Sequence, residues 1–311
     1  MTSALFLPNA QGPEREYSEN ITLVCQGGGI GGGAYLVGVL GAFEKAGVLE
    51  YVDKAYLVSS SSPCFLYTVM GEWEKLKDIW INEITKKEIV NLKRIRQGNI
   101  LNIDLLLEKY LRVHSIDQDK FKNHRIEMNF SVTNVTDEEE FIPEYLNNHT
   151  TECDALTMIE AAISIPILYG GHVMIQDKKY IDGGLMRQLP FEKTNYNEKI
   201  VTLATYPMSR YIGDTNLGEQ ILLAYHEKYH NPSSKLLQIV KNRYNLFRKE
   251  WYELLMRSEK YNQPSLIIRP KNKLPAGIIS GSSRKVAKTI ERGFKDGQKS
   301  LSKIEQLIRC R

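Results

Sequence analysis

Six glycines in seven positions, Gly27-Gly28-Gly29-Ile30-Gly31-Gly32-Gly33, separate two apolar runs and constrain the fold more than any other stretch of the chain. The run before them, Ile21 to Cys25, is uncharged and rich in β-branched residues, the pattern of a strand buried on both faces. The run after them, Ala34 to Ala46, is apolar nearly all round and stops at Gly47, which predicts a core helix with a glycine stop. A core strand that passes directly into a core helix points to an α/β architecture. The glycines leave a turn with almost no side chains, so its N–H groups can approach a ligand closely and favour negative charge at the helix N-terminus.

The rest of the chain extends this pattern. Val52 to Val58 reads as a second strand that runs into Ser59-Ser60-Ser61-Ser62-Pro63-Cys64, and Phe65 to Met70 as a buried helix closing near Gly71. Strand, glycine turn, helix, strand, serine turn and helix form the start of a doubly wound fold. Residues 72–125 are charged and helix-prone, with an apolar stripe through Ile103, Leu105, Leu106, Tyr110 and Leu111. Ile126 to Val132 and Glu140 to Tyr145 are predicted to pair as a hairpin. Leu156 to Ile163 is a short amphipathic helix broken at Ser164-Ile165-Pro166, and Lys179-Tyr180-Ile181 a short strand that delivers Asp182-Gly183-Gly184. Ile200 to Ala204 is the last clear core strand. Beyond Tyr206-Pro207 the pattern is helical, over about 216–230, 233–260 and 283–308, with a strand-like Ser265-Leu266-Ile267-Ile268 between. The expected organisation is a leader over 1–19, a core domain over 20–210 and a mainly helical extension over 211–311 packed on it.

Composition narrows the class. Hydrophobic content of 42% and charged content of 25% over 311 residues exclude a disordered chain. Cys25, Cys64, Cys153 and Cys310 lie far apart, so neither a metal site nor a disulfide framework is indicated, and no cofactor is expected. The N-terminus lacks the basic region and apolar length of a signal peptide, and no segment is apolar enough to span a bilayer. The expectation is a cytoplasmic chain, able at most to sit at the periphery of a membrane. Residues 211–311 carry 20 of the 41 Lys and Arg but 9 of the 37 Asp and Glu, a net charge of +11. Such a surface either faces water or lies against anionic lipid headgroups. Nucleic acid is not expected as a partner, because no binding motif accompanies the charge.

Two chemistries compete for the glycine turn. Gly27-x-Gly29-x-x-Gly32 satisfies the dinucleotide fingerprint, but that site needs an acidic residue closing the second strand, and here serines stand there. A serine where a core strand turns sharply into a helix is instead the nucleophile-elbow arrangement. The glycine turn leaves the neighbouring strand at the same sheet edge, where its N–H groups could hold the oxyanion of an acyl intermediate. His114, His124, His149, His172, His226 and His230 lack a supporting motif. Asp182, exposed at a strand end by Gly183 and Gly184, offers a base for a two-residue unit.

At this point the sequence resembles the patatin-like phospholipase family. The matching pieces are Gly27-Gly28-Gly29-Ile30-Gly31-Gly32, Gly38-Val39-Leu40, the serine turn, Ala161-Ala162-Ile163-Ser164-Ile165-Pro166, and Tyr180-Ile181-Asp182-Gly183-Gly184-Leu185 followed by Pro190, in family order over about residues 20–210. The resemblance implies a three-layer α/β/α fold with a mainly parallel central sheet. It also implies a Ser–Asp dyad, an oxyanion hole drawn from Gly27, Gly28, Gly29, Ile30 and Gly31, and phospholipids or other acyl esters as substrates. Two departures stand out. Gly31 replaces the Arg or Lys usual in the family, and Leu57-Val58-Ser59-Ser60-Ser61 replaces the literal Gly-x-Ser-x-Gly.

The expected nucleophile is Ser59, with Ser60, Ser61 or Ser62 open if the register differs, and Asp182 is the expected base. The function expected is a serine acyl hydrolase of phospholipase A or lysophospholipase type. Two alternatives remain at this stage: a catalytically weak chain of the same fold that binds lipid or a protein partner, and a dinucleotide-binding protein. The oligomeric state is not legible in the sequence.

Overall fold

The computed structural model describes residues 20–91, 93–94, 100–108, 116–137, 139–166, 168–169, 171–191, 194–195, 197–207, 227, 234–261, 263–279 and 281–309. The expected leader, Tyr110, Leu111 and all but one residue of the expected helix 216–230 lie outside them.

One mixed sheet organises the described chain. In sequence order its strands are β1 (Ile21–Cys25), β2 (Val52–Val58), β3 (Glu127–Asn134), β4 (Ile142–Asn147), β5 (Val173–Ile175), β6 (Lys178–Asp182), β7 (Lys199–Leu203) and β8 (Ser265–Ile268). Hydrogen-bonded pairing runs along the path β5-β6-β3-β2-β1-β7-β8, and β4 pairs with β3 as well. The stretch β3-β2-β1-β7-β8 is parallel throughout, and the antiparallel pairs gather around β3 and β6. Among the described residues eight α-helices pack around the sheet: α1 (Gly29–Lys45), α2 (Ser61–Val69), α3 (Trp73–Asp78), α4 (Ile103–Leu106), α5 (Gln118–Lys122), α6 (Ala155–Ile163), α7 (Ser234–Tyr261) and α8 (Ser283–Arg309).

Alternation along β1 explains the layers. Leu23 and Cys25 join the large cluster that contains residues of α1, α2 and α8, whereas Val24 joins Phe247, Trp251 and Leu254 of α7. Strands covered on both faces can afford an unbroken apolar sequence, which is how β1 reads. The result is the three-layer α/β/α arrangement, with α7 supplying much of the second face.

Two differences from the sequence reading have physical causes. Helix α1 begins at Gly29 rather than Ala34. Glycine is a poor helix former, but the first turn gains partners from far along the chain: Ile30 N–H donates to Ile278 O and Gly31 N–H to Gly277 O, each at 2.8 Å. The second difference is that Ile200–Ala204 is not the last core strand. β8 pairs in parallel with β7, so residues expected in the extension complete the sheet.

Helix α8 then lies directly on α1. A Cβ on Gly38 would sit 2.0 Å from Ile290 O, and one on Gly293 2.0 Å from Tyr35 O, so both glycines are needed for the two backbones to approach. Tyr35 closes the contact by donating its hydroxyl to Asp296 Oδ2 at 3.1 Å. The apolar stripe of α8 (Val286, Ile290, Ile304, Leu307) is buried in this core. Among the described residues no helix is long and apolar enough to cross a membrane.

Candidate active site

Ser59 joins β2 to α2 with φ at +54°, a left-handed conformation that costs a non-glycine residue about 1–2 kcal/mol. Such a bend throws the side chain out at the end of the strand, the feature expected of an elbow. The neighbouring turn makes room for it, since a Cβ on Gly27 would lie 2.7 Å from Ser59 Cβ and 2.9 Å from Val58 O. The other serines are placed differently. Ser61 Oγ accepts from Val58 N–H at 2.6 Å and lies 3.0 Å from Cys25 O and 2.8 Å from Val58 O, which ties it to the ends of β1 and β2. Ser60 and Ser62 are buried beyond the bend, and their hydroxyls have no hydrogen-bond partner among the described residues.

Strand β3 brings Asp182 to this point. Ser131 pairs with Val58 at the end of β2, and the next residue, Val132, pairs with Asp182 at the end of β6. β4 occupies the opposite edge of β3 over the same residues, so β2 and β6 must share one edge, end to end. The chain therefore leaves β2 at Ser59 where β6 delivers Asp182. Asp182 N–H donates to Ser164 O at 3.0 Å, which gives the helix break at Ser164-Ile165-Pro166 its structural use. Thr133 Oγ1 lies 3.2 Å from Asp182 O, and Gly184 N–H donates to Asp182 Oδ1 at 2.6 Å. Gly183 has no room for a side chain, because its Cβ would lie 2.4 Å from the Ser131 carbonyl carbon.

The exposure expected for Asp182 at this turn is not found: the residue is 2% exposed, because its strand end pairs with β3 and is tied to Ser164 and Gly184, and that burial lifts its pKa to about 6. The Ser59 hydroxyl, the Gly184 N–H and the charge of Arg243 each oppose that rise. Oδ2 has no fully formed hydrogen bond among the described residues, although the Ser59 hydroxyl stands near enough to act on the carboxyl.

The five residues Gly27 to Gly31 fall into three groups. Ile30 and Gly31 have their N–H groups occupied by the carbonyls of Ile278 and Gly277. Gly28 and Gly29, with φ of +149° and +58°, have no backbone acceptor for their N–H groups among the described residues. Gly27 lies against Ser59, and its carbonyl accepts from Thr205 Oγ1 just after β7. The segment 276–278 thus forms a strap over the start of α1; a Cβ on Gly31 would lie 2.3 Å from Ala276 O. A cavity of about 390 Å³ beside the strap is lined by Ile30, Val90 and Ile279, and does not include Ser59 or Asp182 in its lining.

The residues missed by sequence reasoning come from α7 and the strap. Glu250 is buried and accepts from Gln188 N–H at 3.0 Å and Leu189 N–H at 3.2 Å, which holds the chain that follows the Asp182 turn. Ile239 packs with Ile181 and Leu185 on either side of that turn. Spacing within α7 gives an amphipathic face but not its target, and Pro275-Ala276-Gly277-Ile278 carries no motif at all.

Comparison with known proteins adds three findings. A model of the patatin-like phospholipase family matches residues 23–194. The uncharacterized protein YjjU of Escherichia coli strain K12 is 24% identical, over 67% of this chain and 61% of its own length, so the chain spans less than two thirds of that relative. The crystal structure of VipD from Legionella pneumophila shares the fold with a TM-score of 0.50 at 12% identity, covering 98% of this chain and 68% of that one.

Proposed function

The chain belongs to the patatin-like phospholipase family, and from that premise we propose that it is a serine acyl hydrolase acting on phospholipids or related lipid esters, with Ser59 as nucleophile and Asp182 as base. The observation that carries this reading is the end-to-end meeting of β2 and β6 along β3, which sets a strained serine beside a buried carboxylate. A base with a pKa of about 6 is largely ionised at neutral pH yet can still accept a proton in the transition state. Asp182 takes the Ser59 proton as Oγ attacks the ester carbonyl, and the N–H groups of Gly28 and Gly29 receive the oxyanion. The alcohol leaves with the proton held by Asp182. Water, deprotonated by the same carboxylate, then releases the fatty acid and restores Ser59.

A second reading, a chain of this fold that binds lipid without turnover, draws on the strap. Ser59 is 7% exposed and two of the turn's N–H groups are already engaged, so the site as it stands is closed. Any attachment to anionic membranes would be electrostatic, through the outward charges of the basic C-terminal region. The apolar face of α8 is already used against the core.

Labelling with a fluorophosphonate, with and without anionic vesicles, followed by peptide mapping, separates the two readings. The expected result is a single modified serine, Ser59, lost in Asp182→Asn, and a kcat/KM that falls below a limb near pH 6. Full esterase activity in Asp182→Asn would refute the dyad, and no labelling in either condition would favour the binding reading.

A further inference from the structure

Helix α7 presents one face to the Asp182 turn. Ile239, Arg243, Phe247 and Glu250 recur at helical spacing, and three of them have anchors already described: Ile239 beside Ile181 and Leu185, Phe247 in the cluster with Leu189 and Tyr56, and Glu250 on the Gln188 and Leu189 N–H groups. Arg243 lies between the first and second of these anchors. Its guanidinium rests 5.1 Å from the centre of the Phe247 ring, and Nε is buried without a hydrogen-bond partner. Among the described residues it forms no ion pair with a carboxylate, although Asp182 lies within reach of its charge. A guanidinium kept for structure alone would ordinarily be forked onto a carboxylate or carbonyls, because a buried unpaired donor is costly.

The site has a matching deficit. Gly31 places no cation on the glycine turn, and an anionic headgroup brought beside the Asp182 carboxylate would meet like charge. A planar guanidinium held on an aromatic ring suits a tetrahedral phosphate, which it can grip through two parallel N–H bonds.

We propose that Arg243 is the specificity-determining residue that binds the phosphate of a phospholipid substrate, supplying from α7 the cation that the glycine turn lacks. This rests on the acyl-ester reading of Ser59 and Asp182.

The test uses two esters with the same acyl chain, lysophosphatidylglycerol and monoacylglycerol, each below its micelle concentration. Binding is measured by calorimetry on the full chain carrying Ser59→Ala, with Arg243 intact, Arg243→Gln or Arg243→Lys. Loss of a charge-assisted fork should weaken the phosphate-bearing ester roughly tenfold to a hundredfold in Arg243→Gln. The neutral ester should change by less than about twofold, and Arg243→Lys should restore part of the loss, since a lysine keeps the charge without the fork. Equal weakening of both esters, an unchanged lysophospholipid affinity, or no lysophospholipid binding with Arg243 intact would overturn the proposal. Turnover is scored separately with Ser59 present. Arg243-dependent binding without turnover would count against the hydrolase reading and leave the phosphate site standing, whereas turnover with Arg243-independent binding would remove the phosphate site alone.

Discussion

Replacing Asp182 by asparagine is expected to stabilise the protein while abolishing the hydrolysis proposed for it. Burial lifts this carboxyl from 3.8 to about 6, and each unit is worth about 1.4 kcal/mol, so keeping it ionised in the fold costs roughly 3 kcal/mol at pH 7. Because the folded pKa is raised, the folded chain holds the proton more tightly than the unfolded chain. The resulting stabilisation is complete below pH 3.8 and is lost as pH rises through about 6. Asparagine is neutral throughout, and its Oδ1 can still accept from Gly184 N–H. Asp182→Asn should therefore gain up to roughly 3 kcal/mol at pH 7, about half of that at pH 5, and almost nothing below the unfolded pKa. At this chain length the gain at pH 7 corresponds to a rise in Tm of about 5 °C. Reversible urea unfolding of both proteins at pH 7 and pH 5 measures it. A variant no more stable than wild type at pH 7, or a gain that does not shrink toward pH 5, would refute the claim that the fold holds Asp182 ionised against its burial.

Ser61→Ala removes the hydroxyl that Val58 N–H donates to and that also contacts Cys25 O. It should cost about 1–3 kcal/mol in urea unfolding, yet leave fluorophosphonate labelling at Ser59. Gly38→Ala drives a Cβ to 2.0 Å from Ile290 O between α1 and α8, which should cost about 1–3 kcal/mol. Gly71→Ala meets no atom within 4 Å and should lose only about 1 kcal/mol, from its φ of +81°. Gly31→Ala forces its Cβ against Ala276 O, so limited proteolysis around residues 271–279 should accelerate as the strap lifts. Unchanged cleavage would mean that the strap accommodates the methyl group.

How much of this was legible in the sequence depended on the range of the interactions involved. The strands around the glycine and serine turns, the hairpin of β3 and β4, and the arrival of Asp182 at a strand end before two glycines follow from local patterns, because residue type, period and turn chemistry act within a few positions; the burial of Asp182 does not, since it depends on packing against β3. The order of the motifs was enough to place the chain beside its family, and family membership in turn implies the α/β/α layers. Which serine occupies the bend was legible only as a preference for Ser59 with three alternatives. Four serines in a row offer the same chemistry, and only the positive φ at Ser59 and the three contacts of Ser61 Oγ tell them apart. The start of α1 was misplaced for a related reason, since the carbonyls that stabilise its glycine-rich first turn come from Gly277 and Ile278.

The sequence by itself determined the alternation of core strands and helices, the family, and the residue types from which a site could be built. The tertiary structure alone decided that β2 and β6 end at the same point on β3, that Ser265–Ile268 pairs with β7 in the sheet, and that α7 packs against the Asp182 turn through Ile239. Strand register and helix docking are settled by contacts between residues far apart in the chain, and those contacts leave no periodic trace in the local sequence.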